Sequence, residues 1–163
     1  MKSFCMFNIR FASASDIPHI AAIERAQYGD DGYPEMLFWQ ALHQWPHAFF
    51  VAEQKQLTHA SPSILGYILY APGAVSTTYW CMSLLTSANS RGHGVGKTLL
   101  QESLRQLAKQ PITSIELTVS PENTQAWALY SQAGFRTLTE HQDHLGQGEH
   151  RLHMQLDDFS AYR

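Results

Sequence analysis

The chain has 163 residues, 44% of them hydrophobic and 15% charged, a globular composition that excludes disordered and collagen-like polymers and suits one cored domain spanning 1–163. Lys and Arg number 11 against 14 Asp and Glu, a net charge of −3, and the basic residues are dispersed, so nucleic acid is not an expected partner. No run approaches the ~20 apolar residues that span a bilayer, and "MKSFCMFNIRF" lacks a secretory apolar core, so a cytoplasmic protein with no membrane partner is expected.

Alternation in "FNIRFA" predicts a first strand over 7–12. Ser15-Asp16 is then expected to cap a helix reaching about Gln27, with Ile17, Ile20, Ala21 and Ile23 as its apolar stripe. A second helix should begin around Pro34 and stop before Trp45-Pro46. "AFFVAE" and "ILGYILYA" read as two strands of a hairpin with a polar connection near 55–62, and "TYWCMSLL" reads as a fourth strand. From Val95, the positions Leu99, Leu100, Leu104, Leu107 and Ala108 keep helical spacing, ending near Pro111. "SIELTV" predicts a strand, residues 121–133 a short helix stopped by Gly134, and "FRTLTEH" and "HRLHMQL" two closing strands. That order implies an α/β architecture, a mixed sheet flanked by helices.

"RGHGVGKT", residues 91–98, leads into the third helix. A P-loop needs glycine where Arg91 stands, and a dinucleotide fingerprint needs its third glycine where Lys97 stands, so neither pattern fits. Glycines ahead of a helix still free backbone N–H groups to meet an anion.

Arg91-x-x-Gly94-x-Gly96 between strand and helix resembles the acetyl-CoA loop of the GCN5-related N-acetyltransferase (GNAT) family. A second match, "VSPENTQAWALYSQAGF", carries that family's Val119, Asn123, Ala126, Tyr130, Gly134 and Phe135. The resemblance covers about Ser13 to Met154. It implies a mostly antiparallel sheet of six to seven strands with four helices, splayed between strands four and five. It also implies acetyl-CoA as cosubstrate with no metal, held by the loop Arg91, Gly92, His93, Gly94, Val95, Gly96, Lys97 and Thr98, with the pyrophosphate on backbone N–H groups of about His93 to Thr98. The pantetheine arm would pair with strand four at Ser83, Leu84, Leu85 and Thr86. One departure from the pattern is Ala88, where a proline usually precedes the loop.

By the same resemblance Tyr130 is the acid for the departing thiolate, the alternative being a core tyrosine on a helix face, and Asn123 touches the cofactor arm, caps a helix, or does both. A primary amine is only about one part in two thousand neutral at pH 7, so its attack on a thioester calls for a base. The ribosomal-protein alanine acetyltransferases, which this chain resembles in part, carry Glu where Thr118 stands. Thr118 can position a water, while Glu149 and Glu116 are the candidate bases. The acceptor, a small-molecule amine or a peptide amino terminus, would meet the loop "GDDGYPEMLFW". There Asp30, Asp31 and Glu35 offer negative charge and Tyr33, Phe38 and Trp39 aromatic faces. A solvated acidic loop is the other reading of that stretch. An acyl-CoA-binding sensor without catalysis is the alternative to an enzyme, and a homodimer stays open.

Two histidine pairs, His141/His144 and His150/His153, could suggest a metal, but on a strand i and i+3 point to opposite faces, so surface or loop histidines are the expected reading. Cys5 and Cys81 have no metal-type spacing and are expected to be reduced, a disulfide staying open.

Overall fold

The computed structural model describes residues 6–55 and 63–163. Its elements follow the expected order: β1 (Phe7–Phe11), α1 (Ile17–Tyr28), α2 (Glu35–Gln44), β2 (Phe49–Gln54), β3 (Ser63–Pro72), β4 (Thr78–Thr86), α3 (Val95–Leu107), β5 (Ser114–Val119), α4 (Thr124–Gln132), β6 (Arg136–His141) and β7 (Arg151–Leu156). The strands form one seven-stranded sheet in the order β1-β2-β3-β4-β5-β7-β6. β1 with β2, β2 with β3, β5 with β7 and β6 with β7 pair antiparallel, while β4 and β5 pair parallel. That parallel register covers Thr78↔Ser114, Tyr79↔Ile115 and Trp80↔Glu116, although β4 continues to Thr86 and β5 to Val119. The short ladder sits between the two strands expected to splay. Cys5 and most of the β2–β3 connection lie outside the described residues; Cys81, on β4, is buried.

The chain divides into two compact units. The first comprises Met1–Tyr70 and Ser83–Ser103. Its helix α1 buries Ile17, Ile20, Ala21 and Glu24, the i, i+3, i+4, i+7 stripe of an amphipathic helix, with a carboxylate taking the last place. Ile23 is half-buried. The helix start also differs from the expected Ser15-Asp16 cap. A single 3-10 turn, Ala14–Asp16, precedes α1, and Ser13 forms a capping box with Asp16. Ser13 N–H donates to Asp16 Oδ2 at 2.8 Å, and Arg10 on β1 donates to both Asp16 oxygens, at 2.7 and 2.9 Å. With the Ser13 hydroxyl, which donates to Oδ2 at 3.0 Å, four charge-assisted donors converge on one carboxylate, which draws the cap back toward the strand. The centre of this unit is aromatic: Phe38 lies 5.3 Å from Tyr67 edge-on and 6.1 Å from Phe49. All three rings are fully buried, each contributing roughly 1.5–3 kcal/mol by removal from water.

The second unit comprises Ala71–Met82 and Leu104–Arg163. Along β5, Ile115, Leu117 and Val119 are buried while Glu116 is half-buried and Thr118 exposed, the period-two alternation of a sheet covered on one face. Met154 and Leu156 continue the buried face on β7. α4 starts at Thr124, later than expected, because Asn123 caps it: Asn123 Oδ1 accepts the Ala126 N–H at 3.1 Å.

Candidate functional site

β4 leaves the sheet through a 3-10 turn, Ala88–Ser90, which stands where proline was expected in the resembling motif. Serines hold this turn: Ser87 N–H donates to the Leu65 carbonyl at 2.8 Å, and the Ser87 and Ser90 hydroxyls are 2.6 Å apart. Gly92 and Gly94 follow with φ of 77° and 78°, left-handed positions that other residues rarely occupy, and a Cβ on either would point into open space. The first backbone hydrogen bond of α3 runs from Thr98 N–H to the Gly94 carbonyl, 3.0 Å. The N–H groups of Val95, Gly96 and Lys97 therefore precede any helical acceptor and mark the positive end of the helix dipole. An open glycine cradle before a helix start fits a pyrophosphate. His93 and Lys97 are exposed beside it, and Thr98 turns its hydroxyl back onto the Gly94 carbonyl at 2.9 Å. Arg91, also exposed, donates to Gln27 Oε1 at the end of α1, which ties the loop to that helix. Upstream on β4, Leu85 is buried while Ser83, Leu84 and Thr86 are half-buried.

The α1–α2 loop lies in the same unit. Asp30 and Asp31 form an exposed turn after Gly29, and Glu35 is exposed in the first turn of α2. Tyr33 is 39% exposed, its ring edge-on to Phe38 at 6.4 Å. What fixes this loop was missed in the sequence: buried Glu24 accepts the Tyr33 N–H on Oε1 at 3.0 Å and the Tyr67 hydroxyl on Oε2 at 2.5 Å. Ser83 on β4 lies 2.9 Å from that same hydroxyl. Burial, then the Glu24 carboxylate, push the Tyr67 phenol well above its ordinary pKa, so it stays protonated as a donor.

In the second unit, Tyr130 on α4 is buried and packs edge-on against Phe135 at 5.7 Å. Thr118 is exposed on β5, directly opposite His153 of β7 in register. Glu116, two residues earlier on the same face, meets His153 Nε2 through Oε2 at 2.8 Å, and Gln155 donates to its other oxygen at 3.4 Å. The indole of Trp80 stacks on the His153 ring at 5.3 Å and 15°. Glu149 lies in the exposed turn before β7, paired with Arg151 at 3.3 Å. His144 is exposed in the turn that follows β6, a loop histidine as expected. β6 ends at His141 and the chain turns, so the His141 and His144 rings approach to 5.1 Å instead of facing opposite sides of a strand. His150 precedes β7 and accepts the Asp143 N–H on Nδ1 at 3.0 Å. Among the described residues, no group of three or more His, Cys, Asp or Glu is arranged to hold a metal.

Residues 15–135, which contain both the glycine loop and the Asn123–Tyr130 motif, match the Acetyltransferase (GNAT) family. The chain belongs to this family. Among curated relatives, an L-2,4-diaminobutyric acid acetyltransferase from Nocardia farcinica (strain IFM 10152) is 27% identical over 128 residues. That match covers 78% of this chain and 62% of the relative, so the chain spans less than two thirds of its length. A ribosomal-protein-alanine N-acetyltransferase from Brucella melitensis has a similar fold: TM-score 0.77, 20% identity, 93% of this chain and 99% of that one. A phosphinothricin acetyltransferase from Sinorhizobium meliloti, solved in complex with acetyl-CoA, gives TM-score 0.78 at 18% identity over 92% of this chain and 87% of that one. No helix among the described residues is long and apolar enough to cross a membrane.

Proposed function

We propose that this GNAT protein is a cytoplasmic N-acetyltransferase that moves the acetyl group of acetyl-CoA directly to a primary amine. The start of α3 carries the reading: two left-handed glycines open a cradle, and three successive N–H groups there precede the first helical hydrogen bond. Gly92, His93, Gly94, Val95, Gly96, Lys97 and Thr98 would hold the pyrophosphate, with Lys97 adding a point charge. The short β4–β5 ladder, ending at Trp80 and Glu116, supports pairing of the pantetheine arm with main-chain groups at Leu84, Leu85 and Thr86.

In the transfer, the neutral amine attacks the thioester carbonyl carbon, the C–N bond forms and the C–S bond breaks. The amine gives up a proton to a base and the coenzyme A thiolate gains one, a role assigned to Tyr130 on its motif position. The acceptor reading rests on the α1–α2 loop: Asp30, Asp31 and Glu35 are exposed together with Tyr33, a combination suited to a cationic amine of a small molecule or a peptide amino terminus. Two of the relatives above are named for amine substrates, one an amino acid and one a protein alanine.

Thiol release from acetyl-CoA, measured with a panel of amines and short peptides, tests the proposal. Amine-dependent release with formation of the acetylated amine is expected. Micromolar binding of acetyl-CoA with no release across the panel would instead support a sensor that lacks a working base.

A further inference from the structure

The proposed transfer needs a base, and Thr118 cannot serve as one. Resting on that reading, we propose that His153 is the general base, with Glu116 as the residue that positions it. Glu116 as a carboxylate only accepts hydrogen bonds, so the proton shared at 2.8 Å belongs to His153 Nε2, and Nδ1 presents the lone pair. Among the described residues Nδ1 has no hydrogen-bond partner. Two further contacts fix the ring plane: Trp80 stacked on one side at 5.3 Å, and Gln155 steadying the other carboxylate oxygen at 3.4 Å. This is the arrangement of an oriented imidazole base, a ring nitrogen available for a proton while the opposite nitrogen is held by a carboxylate.

The β4–β5 ladder ends at the pair Trp80 and Glu116, the two residues that clamp His153. The ring projects on the half-exposed face of β5 and β7, opposite Thr118, with 20% of the side chain open to solvent. The proton lost by the attacking amine is taken by Nδ1, and the Glu116 carboxylate stabilises the imidazolium that results. A further titratable group near this ring is His141 on β6, its ring centroid 6.0 Å away.

The test compares wild type, H153A, E116Q and the double variant by kcat, by KM for the amine and by calorimetric affinity for acetyl-CoA. H153A should lose about 10²–10⁴-fold in kcat with acetyl-CoA affinity unchanged, and added imidazole should restore part of the loss. E116Q should lose less, about 10-fold, and H153A/E116Q should be no slower than H153A alone, because Glu116 acts through the ring. If H153A does not fold, H153N takes its place under the same expectations. Unchanged kcat in the histidine variant, or multiplying losses in the double variant, overturns the proposal while leaving acetyl transfer intact. Wild-type protein that binds acetyl-CoA and acetylates nothing overturns both readings.

Discussion

The Tyr67 hydroxyl and the Glu24 carboxylate meet at 2.5 Å in a buried bond between β3 and α1, and the second Glu24 oxygen holds the backbone of Tyr33. One side chain thus links the core to the loop proposed to meet the amine. Both partners are donors, so Glu24→Gln sets an amide NH₂ against one of them and should cost roughly 1–3 kcal/mol. Tyr67→Phe should cost a similar amount, and a double-mutant cycle should show coupling. Beyond stability, Glu24→Gln should raise KM for the amine and leave acetyl-CoA affinity unchanged; denaturant unfolding and steady-state kinetics read the two effects separately.

A second expectation concerns acid. Burial alone would raise the Asp16 carboxyl, but hydrogen bonds from Arg10 and Ser13 outweigh it and hold the group below its ordinary value. A lowered folded pKa means that the stabilisation is fully present above the unfolded value, ~3.9, and is lost as pH falls through the folded one. Asp16→Asn should therefore be destabilised at neutral pH by roughly 1–3 kcal/mol, and its stability should fall less steeply than wild type below about pH 4. Thermal unfolding from pH 3 to 7 checks this; parallel curves would leave Asp16 without a role in the acid response.

How legible these features were in the sequence follows from the distance between partners. The glycine loop is written within a few residues, so its pattern was legible, whereas the Asn123 cap was only one of the readings open for that residue. Glu24 was not visible as a partner because Tyr67 lies 43 positions away, and only its place in an apolar stripe, four residues after Ile20, signalled a buried carboxylate. Ser13 was not visible as the cap because the hold of Arg10 on Asp16 depends on the strand beside it. The Glu116–His153 pair required the β5–β7 register, which places Thr118 opposite His153 and brings Glu116 onto the same face.

The glycines of the loop separate two physical effects. Gly94 sits at φ 78°, so any side chain there strains the backbone by roughly 1–3 kcal/mol whatever ligand binds. At Gly96 the backbone has no such demand, and an added Cβ would meet only Thr86 Cγ2, at 3.7 Å. Gly96→Ala should leave stability unchanged or raise it by at most about 1 kcal/mol. Gly96→Glu should remain folded yet lose acetyl-CoA binding, because its carboxylate faces the pyrophosphate at the helix start. Calorimetric titration decides: full affinity in a folded Gly96→Glu protein would move the phosphate site elsewhere.

The last expectation concerns Tyr130, whose ring is buried against Phe135. Tyr130→Phe keeps that packing and removes only the hydroxyl, so stability should change by no more than about 1.5 kcal/mol. If the hydroxyl protonates the coenzyme A thiolate, kcat should fall about 10²–10⁴-fold at neutral pH with acetyl-CoA affinity intact. A free thiol has pKa ~8.5, so the thiolate leaves more readily without an acid as pH rises, and the ratio of wild-type to variant rates should shrink toward pH 10. Rates measured from pH 6 to 10 for both proteins carry the decision. Equal kcat throughout would leave Tyr130 as a packing residue of α4, with solvent supplying the proton to the departing sulfur.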